Sequence, residues 1–269
     1  AGDDSPTGAH LADEPRVRAI PGFRFLRTSP QGLAEYEHER SGIAMVLIEG
    51  GTFKMGSGAG DPDARDDEKP SHTVVVSPFL IGKHEVSQAE WERAGEQVIA
   101  EPVDRGPRLP AVNVSWEDAR RFCENVGLRL PAEAEWEVAC RAGTASRYAF
   151  GDRITPDLAN FLTGDDLRKL RPVDELEPNA FGLFQMHGNV WEWCEDAYDP
   201  NCYAVRASEA ARTGVAAKDP LCTKGDHRVL RGGGFAFPPE DCRSAARWAD
   251  EPSVREPSFG FRVACSLGD

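Results

Sequence analysis

The sequence predicts an α+β fold built from short, irregular elements. Two observations point there. Gly (26) and Pro (20) are abundant among 269 residues, which favours many turns over long helices. The strand-like runs are brief, and the helix starts are few but well marked.

Residues 1–20 are polar, acidic and Pro-containing, so a mobile N-terminal arm is expected, with one domain over residues 21–269. From Pro21 to Glu39 the chain reads as a lead-in strand, a turn at Ser29-Pro30 and a short helical piece. Ile43 to Met55 (IAMVLIEGGTFKM) reads as a hairpin turning at Gly50-Gly51. Gly56 to Ser71 is an acid-rich stretch whose spacing fits no regular calcium loop, which leaves a solvated loop. A strand is expected over His72–Ile81. Ser87 with Glu90 forms a capping box at the head of a helix containing Trp91. Ser115 caps the next helix, whose apolar face is Ala119, Phe122 and Val126 and whose stop is Gly127. Leu130-Pro131 opens a third, with acids early, Arg141 late and Gly143 after it, an order that suits the helix dipole. Trp136 and Cys140, four apart on it, are expected to face inward. Residues 152–179 are mostly irregular, and 196–227 read as a long surface insert with few strand signals. Strands are expected over Arg228–Arg231, Ser244–Trp248 and Phe259–Ala264.

The net charge of −14 argues against nucleic-acid or anionic-membrane binding, and no apolar run reaches the length of a spanning helix. No signal-peptide pattern is visible, and Ala1-Gly-Asp-Asp fits either a processed terminus or a cut in a longer chain. Seven cysteines without a CxxC pair argue against a zinc site and leave the redox compartment, and hence the location, open.

The least ordinary stretch is Asn179–Asp196, NAFGLFQMHGNVWEWCED. Gly188-Asn189 marks a turn, and Val190, Trp191 and Trp193 a β-prone run. Trp191 and Trp193 share one strand face and Glu192 takes the other. Glu192 is then either a solvated acid on a half-buried strand or a metal ligand aided by turn carbonyls, and oxygen donors suit calcium.

GNVWEW, together with RLPAEAEWEVACRAG (Arg129–Gly143), RVLRGGGF (Arg228–Phe235) and GFRVA (Gly260–Ala264), resembles the formylglycine-generating enzyme, or sulfatase-modifying-factor, domain family. The likeness runs from Met45 to Cys265, about four-fifths of the chain. It implies a formylglycine-generating-enzyme-like variant of the C-type-lectin fold, supported by calcium. One implied calcium site maps to Gln185, Gly188, Val190 and Glu192, with a neutral Gln where the family has Asn or Asp. The other maps to Asn160, Phe161, Asp165 and Leu167, with Asp166 able to replace Asp165.

The family's enzymes oxidise a substrate cysteine through a Cu(I)-binding cysteine pair five residues apart, soft thiolates being apt ligands. Counted forward from Gly232-Gly233, those positions hold Phe237 and Cys242. Counted back from Ala245-Ala246-Arg247, the second holds Pro239. The pair is missing, and copper is not expected. The family's disulfide positions imply that Cys140 lies near Cys242 and Cys123 near Cys265, either oxidised or packed as small hydrophobes. The iron-dependent sulfoxide synthases of the family use three histidines and an extra bundle; no such bundle is present here, and His187 reads as a structural turn residue.

At the family's substrate groove, residues 234–258 bring Phe235, Phe237, Trp248, Arg243, Arg247 and Arg255, residue types that anchor recognition surfaces. The expectation is a non-catalytic module recognising a protein or peptide, as in family members that lack the pair and bind partners or join bacterial kinases and other signalling systems. A divergent metal-dependent oxidase acting on a cysteine-containing or peptide-derived substrate is the alternative.

Overall fold

The computed structural model describes residues 18–96, 104–164 and 169–267. The expected arm lies almost wholly outside the described residues. In chain order the elements are β1 (Phe23–Thr28), β2 (Ala34–His38), β3 (Ala44–Ile48), β4 (Gly51–Met55), β5 (His72–Val76), β6 (Phe79–Gly82), α1 (Gln88–Arg93), α2 (Trp116–Val126), α3 (Glu133–Arg141), β7 (Trp191–Ala197), α4 (Cys202–Thr213), β8 (Ala217–Lys218), β9 (Arg228–Arg231), β10 (Arg247–Asp250), β11 (Phe259–Gly260) and β12 (Ala264–Ser266). Among the described residues they form sheets of order β1-β2-β3-β6-β12, β10-β9-β7-β11 and β4-β5-β8. The fold is mixed α+β and mostly sheet, as the composition predicts.

The helix starts are where the sequence puts them. Ser87 and Ser115 each accept a backbone N–H three residues on, with Glu90 and Asp118 returning the bond. Gly127 closes α2 in the left-handed region at φ 82°. The apolar face of α2 meets α1 and the chain's last turn through stacked Trp91 and Phe122 rings, 5.5 Å apart, with Phe261 edge-on at 5.3 Å from Phe122. Trp136 and Cys140 of α3 are fully buried.

Four expectations are corrected. The helical piece after Ser29-Pro30 is β2, because pairing with both β1 and β3 overrides the helix-forming composition of Leu33–Glu39. Gly50-Gly51 does not close a hairpin: β3 pairs with β2 and β6, while β4 pairs with β5. The two glycines, at φ 70° and 115°, instead carry the chain from one sheet to another. A Cβ on Gly50 would run into the Val76 carbonyl. The expected strands over 72–81 and 259–264 are each split between two sheets. Finally, the insert after Asp196 is built around a twelve-residue helix, α4, capped by Gly214 at φ 72°.

Candidate functional site

The turn before β7 is a close approach of two chain segments. Gly188 (φ 82°) and Asn189 (φ 64°) both take left-handed backbone, and a Cβ on Gly188 would strike the Asn160 carbonyl. Asn189 N–H donates to that carbonyl at 2.7 Å. From there Trp191 and Trp193 turn into one core cluster, and Glu192 points away from it, also fully buried. Glu192 is therefore not solvated. Its carboxylate accepts from Arg262 Nε and Nη2, both at 2.6 Å, and from Trp136 Nε1 at 2.8 Å. Such a two-pronged buried guanidinium pair already balances the Glu192 charge.

Around this turn, three side-chain amides clasp one short run of backbone. Asn160 Nδ2 donates to Lys169 O (2.9 Å), Asn189 Nδ2 to Arg171 O (3.2 Å) and Gln185 Nε2 to Pro172 O (3.2 Å). Asn160 Oδ1 and Gln185 Oε1 are left buried with no hydrogen-bond partner. Each of those oxygens, one in either implied calcium site, is a donor that suits a hard cation, since neutral amide oxygens with free lone pairs are what calcium takes. Glu192 does not offer a comparable free oxygen. Asp165, Asp166 and Leu167 lie outside the described residues, and Phe161 is buried. No cluster of three or more His, Cys, Asp or Glu that could hold a metal exists among the described residues.

Glu85 joins the same knot and was missed from the sequence, where a lone acid between a strand and a helix carries no signal. It is fully buried, with Oε1 accepting from Asn189 Nδ2 at 3.0 Å and Oε2 unpartnered. Burial, then the nearby Glu192, pushes its carboxyl well above the usual carboxylate range.

The copper-pair positions are filled differently. Phe237 is half-buried with its ring edge-on to Trp191, centroids 5.6 Å apart. Cys242 is fully buried, and burial, then Asp241, drives its thiol pKa up. Pro239 opens the short 3-10 turn Pro239–Cys242. His187 is buried too: Nδ1 donates to Cys242 O at 2.8 Å and Nε2 accepts from Ala149 N–H at 3.0 Å. Burial lowers its pKa to about 4, so it is a neutral structural residue. All seven cysteines are free thiols; of the four at positions where the resemblance places disulfides, Cys123, Cys140 and Cys242 are buried as small hydrophobes and Cys265 is partly buried.

Two residues expected on the recognition surface are interior anchors. Arg243, 1% exposed, reaches Glu68 (2.7 and 2.8 Å), Asp61 (2.8 Å) and the Asp63 and Glu240 carbonyls. Arg247, equally buried, grips Glu133 (2.6 and 3.1 Å) and the Asp67 carbonyl. A guanidinium in the interior needs its five N–H donors answered, and the acid-rich loop answers most of those of Arg243, while Glu133 of α3 takes most of those of Arg247. That loop is thus no mere solvated loop: Glu68 is fully buried, and Arg65 pairs with Asp241. What remains outside is Trp248, 40% exposed beneath Arg65, with Phe235 and Phe237 half-buried and Arg255 exposed but paired with Asp118 at 2.6 Å. Separately, a cleft of about 490 Å³ opens between the acid-rich loop and the 141–153 turn, lined by Asp61, Arg147 and Arg153 among others.

An α+β domain poor in regular structure, with a buried Trp-Glu-Trp strand and a Gly-Gly turn leading to an altered cysteine segment, defines the class. The chain belongs to the sulfatase-modifying factor enzyme 1-like domain family, which matches residues 30–267. It is 34% identical over 250 residues to serine/threonine-protein kinase pkn1 of Chlamydia pneumoniae, covering 83% of this chain but only 38% of the kinase. It is 32% identical over 315 residues to the formylglycine-generating enzyme of Thermomonospora curvata, covering 91% of this chain and 99% of the enzyme. It is also 30% identical to the inactive C-alpha-formylglycine-generating enzyme 2 of Mus musculus, over 84% of this chain and 86% of that protein. Among solved structures, PvdO from Pseudomonas aeruginosa superposes with a TM-score of 0.73 at 27% identity, covering 93% of this chain and all of PvdO. No helix among the described residues is long and apolar enough to cross a membrane.

Proposed function

We propose that this chain is a non-catalytic binding or regulatory module that recognises a protein or peptide through the 234–258 surface around Trp248, stabilised by calcium. The carrying observation is the filling of the copper-pair positions by a phenyl ring packed on Trp191 and by one buried thiol. A thiol held protonated by burial is a poor copper ligand and a poor nucleophile. The kinship to a formylglycine-generating enzyme named inactive, and to kinases that extend well beyond the matched region, supports the same reading. The unpartnered Asn160 and Gln185 oxygens support calcium, which would neutralise buried lone pairs and pin the turn before β7.

The test is metal content of the purified protein with a Cu(I) titration alongside. Calcium at about one or two equivalents, a thermal midpoint lowered by a chelator, and loss of that response in Asn160→Ala or Gln185→Ala are the expected results. Tight stoichiometric copper that disappears in Cys242→Ser would instead make the chain a divergent metal-dependent oxidase.

A further inference from the structure

The excursion between β7 and β9 leaves the body of the domain at Tyr198 and returns at His227, whose carbonyl accepts the Tyr198 N–H at 2.9 Å. Its helix is held by little. Only Cys202 and Tyr203 of α4 are buried, both in the first turn, while Val205 is 59% exposed. Tyr203 stacks edge-on to His72 at 4.8 Å and lies under Arg247 at 4.4 Å. The returning chain is pinned at Cys222, whose N–H donates to Asp196 Oδ1 (2.7 Å) and whose carbonyl accepts from Ala197 N–H (2.8 Å). These two anchor points meet: Cys202 and Cys222 pack in one buried cluster, and Arg206, one helical turn on from Cys202, reaches at 3.8 Å the same Asp196 Oδ1 that accepts the Cys222 N–H.

The pair also differs in access from every other thiol except Cys265, which is more open still. Cys123, Cys140, Cys194 and Cys242 are all 1% exposed or less, whereas Cys202 and Cys222 are 9% and 7% exposed. We propose that Cys202 and Cys222 are a disulfide-forming pair that ties the first turn of α4 to the base of the returning strand. The oxidant is a low-molecular-weight disulfide, of which oxidised glutathione is the probe. One cysteine loses its proton to solvent and attacks a glutathione sulfur, breaking that S–S bond and releasing one glutathione thiolate, which takes up a proton. The second cysteine then attacks the protein sulfur of the mixed disulfide, loses its own proton, and expels the second glutathione as a thiol. Two S–H bonds are exchanged for one intramolecular S–S bond, and the oxidant leaves as two reduced molecules. Burial pushes the Cys202 thiol up to about 12, so the reaction runs faster as pH rises.

The experiment incubates the folded chain with oxidised glutathione, alkylates remaining thiols in denaturant, and maps peptides by mass spectrometry without reduction. The expected map shows a Cys202–Cys222 cross-linked peptide appearing before any other disulfide. Closing a loop of about 20 residues is expected to raise the thermal midpoint by about 5–10 °C, reversibly with dithiothreitol. Cys202→Ser is expected to leave Cys222 carrying glutathione and to abolish the rise. A map in which both cysteines stay alkylated, or join other cysteines, overturns the proposal, as does a cross-link with no rise. The wild-type map decides the pairing even where a variant folds poorly.

Discussion

At the residue scale, the clearest consequence is a pH dependence at His187. Folding lowers its pKa from 6.5 to about 4 because the ring is desolvated and its Nε2 must stay an acceptor for Ala149 N–H. Between those values the unfolded chain binds more protons than the folded one, so stability falls as pH drops through the window. Above pH 6.5 the contribution is complete. Asp196 opposes it. Burial, then Glu133, raises its carboxyl to about 7, and a group whose pKa rises on folding favours the folded state at lower pH. The His187 term therefore has to be read as a difference. Urea unfolding of wild type and His187→Gln at pH 4.5 and pH 7 is expected to show a gap that narrows by about 2–3 kcal/mol at the acid end. A gap independent of pH would mean that His187 titrates normally in the fold.

At the element scale, what was legible and what was not divides by range. Both Ser caps and the Gly127 stop were readable because each signal sits within four residues of the geometry it sets. The Ile43–Met55 hairpin was misread because a Gly-Gly turn reports a change of direction but not the partner, and the partner of β3 is β6, more than thirty residues on. Helix α4 was missed for another reason. It has no continuous buried face to give a period, and its readable signals were an Ala-, Arg- and Glu-rich run closed by Gly214. The candidate site behaved in the same way. The Gly188-Asn189 turn and the opposed faces of Trp191 and Glu192 followed from local spacing, whereas Arg262 as the partner of Glu192 is seventy residues distant and had no local signature. A paired substitution separates the two kinds of signal. Ser115→Ala removes one cap and is expected to cost about 1 kcal/mol. Gly50→Ala puts a Cβ into the Val76 carbonyl at a positive φ and is expected to cost clearly more, since both strain and the sheet-to-sheet crossing are disturbed. Equal losses in denaturant midpoint would show that the crossing yields freely.

At the scale of the whole molecule, short strands in three sheets give few long ladders, and the segments are joined instead by buried ion pairs. Arg231, Arg243, Arg247 and Arg262, all nearly inaccessible, reach back to Glu137, Glu68, Glu133 and Glu192. Each pair joins the last forty residues of the chain to an acid at least seventy positions earlier, so together they bind the C-terminal segment across the sheets. Burying a charge is unfavourable by itself, and the structure tolerates it only because every guanidinium also donates to backbone carbonyls. That makes the loss of one partner worse than the loss of both. Arg243→Met is expected to cost about 3–5 kcal/mol, because Glu68 is then buried without a counter-charge. Glu68→Gln is expected to cost less, because Asp61 still pairs with the guanidinium at 2.8 Å. The double variant is expected to cost less than the sum of the two by about 1–3 kcal/mol in urea unfolding, a coupling of the size found for residues in one network. Strict additivity would mean that Arg243 and Glu68 contribute independently, and the acid-rich loop would then be held by its backbone contacts alone.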